Sequence, residues 1–200
     1  MNFLEETLQA LGERGDEPWI LHGDRTVTGN DLLRRTGAAQ GALGDIGPGE
    51  RVVLLGPNSP DWVAIDLAIQ CAGALPVPFY TRQSPAEMEA MIRDCQPAMV
   101  ICADEELAAP LRNCGVPVRV YHELDGPVAA PEVRERPCSD PLRIFYTSGT
   151  SGAAKGAVLT VANVNFMLPR TCERLDYLMA GTEERERVFH YLPFCFAGSW

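Results

Sequence analysis

The 200-residue chain is poor in positive charge: 17 Lys and Arg stand against 27 Asp and Glu, for a formal net charge of −10. Broad nonspecific binding to nucleic acid or to an anionic membrane needs a positive field, so neither is expected; a small basic site for an anionic ligand stays open. Metal-binding grammar is missing as well. The seven cysteines, at 71, 95, 102, 114, 138, 172 and 195, form no C-x-x-C and lie beside no histidine at ligand spacing, which argues against zinc. The N-terminus has neither a basic n-region nor an apolar h-region, so no secretory signal is read there, and reduced thiols point to the cytoplasm. No apolar run suits a membrane span: residues 62–79, the strongest, contain Asp66, Gln70, a glycine and two prolines. The 18 Gly and 16 Pro are scattered without a period, which excludes collagen and low-complexity tracts, and no internal repeat is visible.

What is present is a globular composition, 46 % hydrophobic and 22 % charged, in a chain long enough to bury a sizeable core. One end is unusual. Residues 192–200 (LPFCFAGSW) form an apolar run where domains normally finish on solvated segments, so a truncated chain is expected.

Along the chain, residues 2–12 read as a helix, and residues 19–22 and 25–27 as a short hairpin about Gly23 and Asp24. Thr28 with Asp31 marks a helix start, with a stop near residues 44–47. A regular alternation follows. Residues 51–56 read as a buried strand, Ser59 and Pro60 open a helix to about Gly73, and residues 75–79 are extended. Ser84, Pro85 and Glu87 repeat the capping grammar for a helix to about Cys95. Residues 98–102 form the next strand, 104–113 a helix and 116–121 another strand. This order predicts an α/β fold with a mostly parallel sheet flanked by helices. Residues 123–140 are a proline-bearing connector, 141–146 a strand, and Thr160 caps a helix over residues 161–179. Residues 181–187 are a charged loop, and 188–192 are expected to be a final strand. The division that results is residues 1–140 as an N-terminal α/β subdomain and 141–200 as the start of a second.

The chemistry-bearing stretch is YTSGTSGAAKG, residues 146–156. Every residue from Thr147 to Gly152 is Gly, Ser or Thr, and Lys155 follows. Glycines let successive backbone N–H groups face one concavity, hydroxyls at 147, 148, 150 and 151 add donors, and Lys155 adds a mobile positive charge. Such a loop suits the β- and γ-phosphates of a nucleotide. It is not a Walker A loop, because Ala154 precedes Lys155 and Gly156 follows it. A plain surface hairpin between two strands is the alternative reading of the same composition.

The stretch resembles the phosphate-binding signature of the adenylate-forming enzymes: acyl-CoA synthetases, adenylation domains and luciferases. Two upstream segments resemble the family too, RVVLLGPNSPDW (51–62) with CAGALPVP (71–78) closely and TVTGNDLL (26–33) loosely. The resemblance implies the N-terminal part of the large domain of such an enzyme. It implies that Thr147, Ser148, Gly149, Thr150, Ser151, Gly152 and Lys155 hold the β,γ-phosphates of ATP, with Mg²⁺ as companion, while a carboxylic acid, fatty by the wording of 191–195, attacks the α-phosphorus. Acyl-adenylate and pyrophosphate form, and acyl transfer to coenzyme A follows. Two other outcomes stand beside this one: loading of a carrier protein, and a noncatalytic nucleotide-binding or interaction fragment.

Departures from the family pattern are specific. Ala154 replaces its usual proline, and Phe196 stands where Leu-Pro-x-x-His places histidine. His190 reads as a packed or half-exposed residue rather than a substitute, and Phe194 and Phe196 as either core or pocket wall. The family's catalytic Lys and Glu and its ribose-binding Asp fall beyond residue 200, so the 200 residues alone are expected to be inactive, to expose apolar surface and to self-associate. Trp62, Cys71 and Cys102 are expected in the core, and Glu5, Glu6, Glu105 and Glu106 on exposed helix faces.

Overall fold

The computed structural model describes residues 3–148, 154–180 and 187–196. Its centre is a parallel sheet in the order β4–β3–β5–β6, formed by β3 (Arg51–Leu55), β4 (Leu75–Phe79), β5 (Met99–Cys102) and β6 (Val118–Val120). Val53 lies opposite Val77 on one side and Val100 on the other. β4 and β5 are buried along their whole length. Helices cover both faces, so these strands have no polar face to alternate with. Pro76 and Pro78 are tolerated in β4 because, among the described residues, it pairs only with β3, leaving its other edge free of ladder bonds.

The helices begin where the caps place them. The Thr28 hydroxyl accepts from the Asp31 N–H at 3.1 Å and the Asp31 carboxylate accepts from the Thr28 N–H at 3.1 Å, opening α2 (Gly29–Ala42) behind α1 (Phe3–Arg14) and the β1 (Pro18–His22)–β2 (Arg25–Thr28) hairpin. Ser59 accepts from the Trp62 N–H to start α3 (Pro60–Cys71), and Ser84 and Glu87 cap α4 (Pro85–Cys95) reciprocally. α4 stops at Gln96, whose φ of 44° makes it the one non-glycine among the described residues in the left-handed region.

Two apolar layers sandwich the sheet. Val52, Leu54 and Ile101 meet Trp62, Ile65 and Ile69 of α3, while Val53, Leu55 and Val100 meet Met88, Met91 and Ile92 of α4. Each such side chain contributes about 1.5–3 kcal/mol on full burial. α3 is covered on its far side too, where Ala64, Leu67 and Cys71 pack on Leu4 and Leu11 of α1 and Leu32 of α2.

The remaining elements are a second hairpin, β7 (Pro141–Ser148) and β8 (Ala154–Thr160), and α6 (Val161–Met179), started by Thr160. β7 runs beside β4. Three expectations are corrected. The helix over 104–113 is split into α5 (Glu105–Ala108) and a 3₁₀ turn over Ala109–Leu111, where Pro110 supplies no N–H. The strand over 116–121 shortens to β6. Residues 188–192 form no strand: no described strand lies beside them to complete a ladder, and Phe189 is 88 % exposed. Among the described residues no helix is long and apolar enough to cross a membrane.

Candidate functional site

The Ser/Thr/Gly loop belongs to the β7–β8 hairpin, with Thr147 opposite Lys155 and Ser148 opposite Ala154. Thr147 and Lys155 are exposed, and the Thr147 hydroxyl lies 3.5 Å from the Lys155 carbonyl. Lys155 is the only lysine in the chain and has no ion-pair partner among the described residues. Gly149, Thr150, Ser151 and Gly152 lie outside the described residues. Of the seven predicted phosphate contacts, Thr147, Ser148 and Lys155 are therefore placed, at the loop end of the hairpin. The next residue is glycine for a packing reason: a Cβ on Gly156 would meet Ile144 at 3.0 Å.

β7 is gripped from both sides, as its period-two alternation allows. Arg143 is fully buried and directs its guanidinium at the Asp66 carboxylate of α3, which also accepts from Gln70 Nε2 at 2.7 Å. The guanidinium sits 5.9 Å from the Trp62 ring and 5.3 Å from the Phe145 ring. Burial lowers the Arg143 pKa and the Asp66 charge opposes that shift. On the other side the Tyr146 hydroxyl donates to Asp94 of α4, and its ring meets Phe79 edge-on at 6.0 Å. Burial, then the Asp94 carboxylate, raises the Tyr146 pKa, so the phenol stays protonated. Strand β7 is thus constrained on both faces up to Thr147, the residue from which the Ser/Thr/Gly loop departs.

Beside the hairpin lies a cavity of about 360 Å³ at the carboxyl end of β4, the edge where open α/β sheets present ligands. Tyr80, Arg82, Met91, Tyr146, Thr147 and Phe196 are among its lining residues. Arg82 is exposed and has no ion-pair partner among the described residues. Phe196, at the family's histidine position, packs on Tyr80 with ring centroids 5.2 Å apart. Phe194 goes to the core instead, 5.0 Å from the Trp62 ring, with exposed His190 stacked on it at 4.6 Å. The two phenylalanines that the sequence left between core and pocket wall thus divide one to each. Tyr80, Arg82 and Asn58 were missed by sequence reasoning, although all three follow strand ends, which is the signal that could have found them. No group of three or more His, Cys, Asp or Glu suited to a metal occurs among the described residues, so none of them forms an acidic cluster that fits Mg²⁺.

A parallel sheet flanked by helices, with a hairpin beside β4, places the chain among α/β proteins. The family model described as AMP-binding enzyme matches residues 8–200, and the chain belongs to that family. It is 35 % identical over 80 % of its length to a hybrid PKS-NRPs synthetase, opdA, of Penicillium oxalicum, spanning 4 % of that protein. It is 33 % identical over 74 % of its length to a feruloyl-CoA synthase of an Amycolatopsis species, spanning 31 % of it. Among solved structures, the anthranilate CoA ligase AuaEII in complex with anthranoyl-AMP shares the fold, with a TM-score of 0.73 at 23 % identity, covering 80 % of this chain and 34 % of that one. The chain spans less than a third of the length of these curated relatives.

Proposed function

We propose that the chain supplies the phosphate-holding part of an ATP-dependent ligase that activates a carboxylic acid and passes the acyl group to coenzyme A. The observation that carries this reading is the chain's only lysine, Lys155, paired across the hairpin with Thr147, which lines the cavity. Thr147, Ser148, Gly149, Thr150, Ser151, Gly152 and Lys155 hold the β,γ-phosphates of ATP. A carboxylate oxygen then bonds to the α-phosphorus as its bond to the bridging oxygen breaks, giving acyl-adenylate and pyrophosphate. The positive charge of Lys155 meets the negative charge that gathers on the leaving pyrophosphate. Arg82, which lines the cavity, adds a second positive charge. Mg²⁺ bound with ATP would supply further charge neutralisation on the phosphates.

The acid is proposed to be fatty, on the wording of residues 191–195; the feruloyl-CoA synthase match sets an aryl acid beside it. Residues 1–140 form one subdomain and 141–200 begin the next in this reading. All seven cysteines are free, which supports a reducing, cytoplasmic setting. A second acceptor, a carrier protein, is favoured by one observation, the match to a hybrid PKS-NRPs synthetase.

Calorimetric titration of ATP into the protein and its Lys155→Ala variant tests the site. An ATP affinity about tenfold weaker in the variant, a loss of about 1.4 kcal/mol, is the expected result. Equal affinities would remove the phosphate-holding role.

A further inference from the structure

Asn58 stands three residues past the end of β3 and one before the Ser59 cap of α3, so both of its neighbours in the chain are fixed. Its side-chain amide is spent entirely on the segment over 187–196. Asn58 Nδ2 donates to the Leu192 carbonyl at 2.8 Å, and Asn58 Oδ1 accepts from the Phe194 N–H at 2.9 Å. The two bonds straddle Pro193, which has no N–H of its own to offer. Beyond the clamp the chain turns, with the Phe196 N–H donating to the Pro193 carbonyl at 3.1 Å. That turn buries Cys195 and lays Phe196 over Tyr80, and both Cys195 and Phe196 line the cavity beside Thr147. Among the described residues no ladder holds residues 188–192. The segment is anchored by Asn58, by the Trp62–Phe194 contact and by the Tyr80–Phe196 contact.

We infer that Asn58 is a positioning residue: a two-point latch that fixes Leu192 and Phe194 to the carboxyl end of β3 and thereby sets where Phe196 walls the cavity. What the cavity holds rests on the ligase reading above; the latch does not. Asparagine is suited to the task because one planar amide carries a donor and an acceptor side by side, matching a carbonyl and an N–H two residues apart. Alanine offers neither. Aspartate offers the acceptor always, and the donor only when protonated.

Cys195 gives a direct readout, since its thiol is buried only while the segment is docked. The rate of reaction with dithiodipyridine is measured at each cysteine by peptide mass spectrometry, in the wild type, Asn58→Ala and Asn58→Asp. In Asn58→Ala, Cys195 should react about tenfold faster, while Cys71 and Cys102, deep in the core, keep their wild-type rates. In Asn58→Asp the ratio to the wild-type rate at the same pH should be near one at pH 4.5 and rise at pH 8. The protonated acid donates to the Leu192 carbonyl and the carboxylate is repelled by it, so the variant's carboxyl pKa is raised on docking and docking weakens as pH climbs through it. The ratio cancels both the thiolate fraction and any effect of His190. The latch is overturned if Cys195 reacts no faster in Asn58→Ala, if Cys71 and Cys102 accelerate in step with it, or if the Asn58→Asp ratio is flat with pH. ATP binding plays no part in this readout, so failure of the latch and failure of the ligase reading are separately visible.

Discussion

Arg143 and Asp66 concentrate the largest single-residue stake in the fold. A guanidinium that is fully buried keeps its charge only beside its carboxylate, and removing one partner strands the other in an apolar layer. Arg143→Met should therefore cost about 3–5 kcal/mol in urea-induced unfolding, and adding Asp66→Leu should recover most of it. Thiol reactivity is the second residue-scale expectation. Burial pushes Cys71 and Cys102 up to about 12 and Cys95 to about 11, so at pH 8 all three should resist alkylation while exposed Cys138 and Cys172 react. The placement of Trp62, Cys71 and Cys102 in the core was readable from apolar neighbours. The salt bridge was not. Asp66 reads as a polar break in an apolar run, and its partner stands 77 positions away, a separation that no local pattern encodes.

At the scale of the element, capping decides where helices begin, and it was legible. Thr28, Ser59, Ser84 and Thr160 each accept a backbone N–H three residues on, the kind of local chemistry that a short window of sequence contains. The caps also make stability depend on pH. The backbone and hydroxyl of Thr28 hold Asp31 below its ordinary value, and those of Ser84 do the same for Glu87. A depressed carboxyl contributes stability above its unfolded value and loses it as pH falls through the folded one. The urea midpoint should accordingly fall below about pH 4, and Asp31→Asn, which keeps an acceptor oxygen but cannot titrate, should show a shallower fall. Strand assignment over 188–192 went wrong for a non-local reason: the β-branched and aromatic content of Val188, Phe189 and Tyr191 suits a strand, but a strand exists only beside a partner. The residue types over 147–156 proposed a phosphate-holding loop and a pair of strands about it, and the β7–β8 hairpin is there; the Tyr146 and Arg143 anchors of β7 became visible only once α3 and α4 were in place.

On the scale of the whole molecule, the sheet is sealed on both faces while the later part of the chain is not. Phe166, Tyr177 and Leu178 of α6 and Val188, Phe189 and Tyr191 all stand in solvent among the described residues. Exposed apolar area of that kind draws surfaces together. The 200-residue protein should bind an apolar dye and scatter light in a concentration-dependent way; a monodisperse, dye-silent monomer would contradict this. Acidity works against association without cancelling it, since a net charge of −10 repels at long range but is screened within about 10 Å at 0.1 M salt.

The sheet order β4–β3–β5–β6 also has a consequence in time. β3 is the first of its strands to leave a ribosome, yet it is the one flanked on both sides, by β4 some twenty residues later and by β5 after a further helix. Until both arrive, Val52, Val53, Leu54 and Leu55 form an unpaired apolar strand with two open edges. Nascent chains of this protein thus pass through a window in which their most central segment is their stickiest, and that window closes only when Met99–Cys102 has been synthesised.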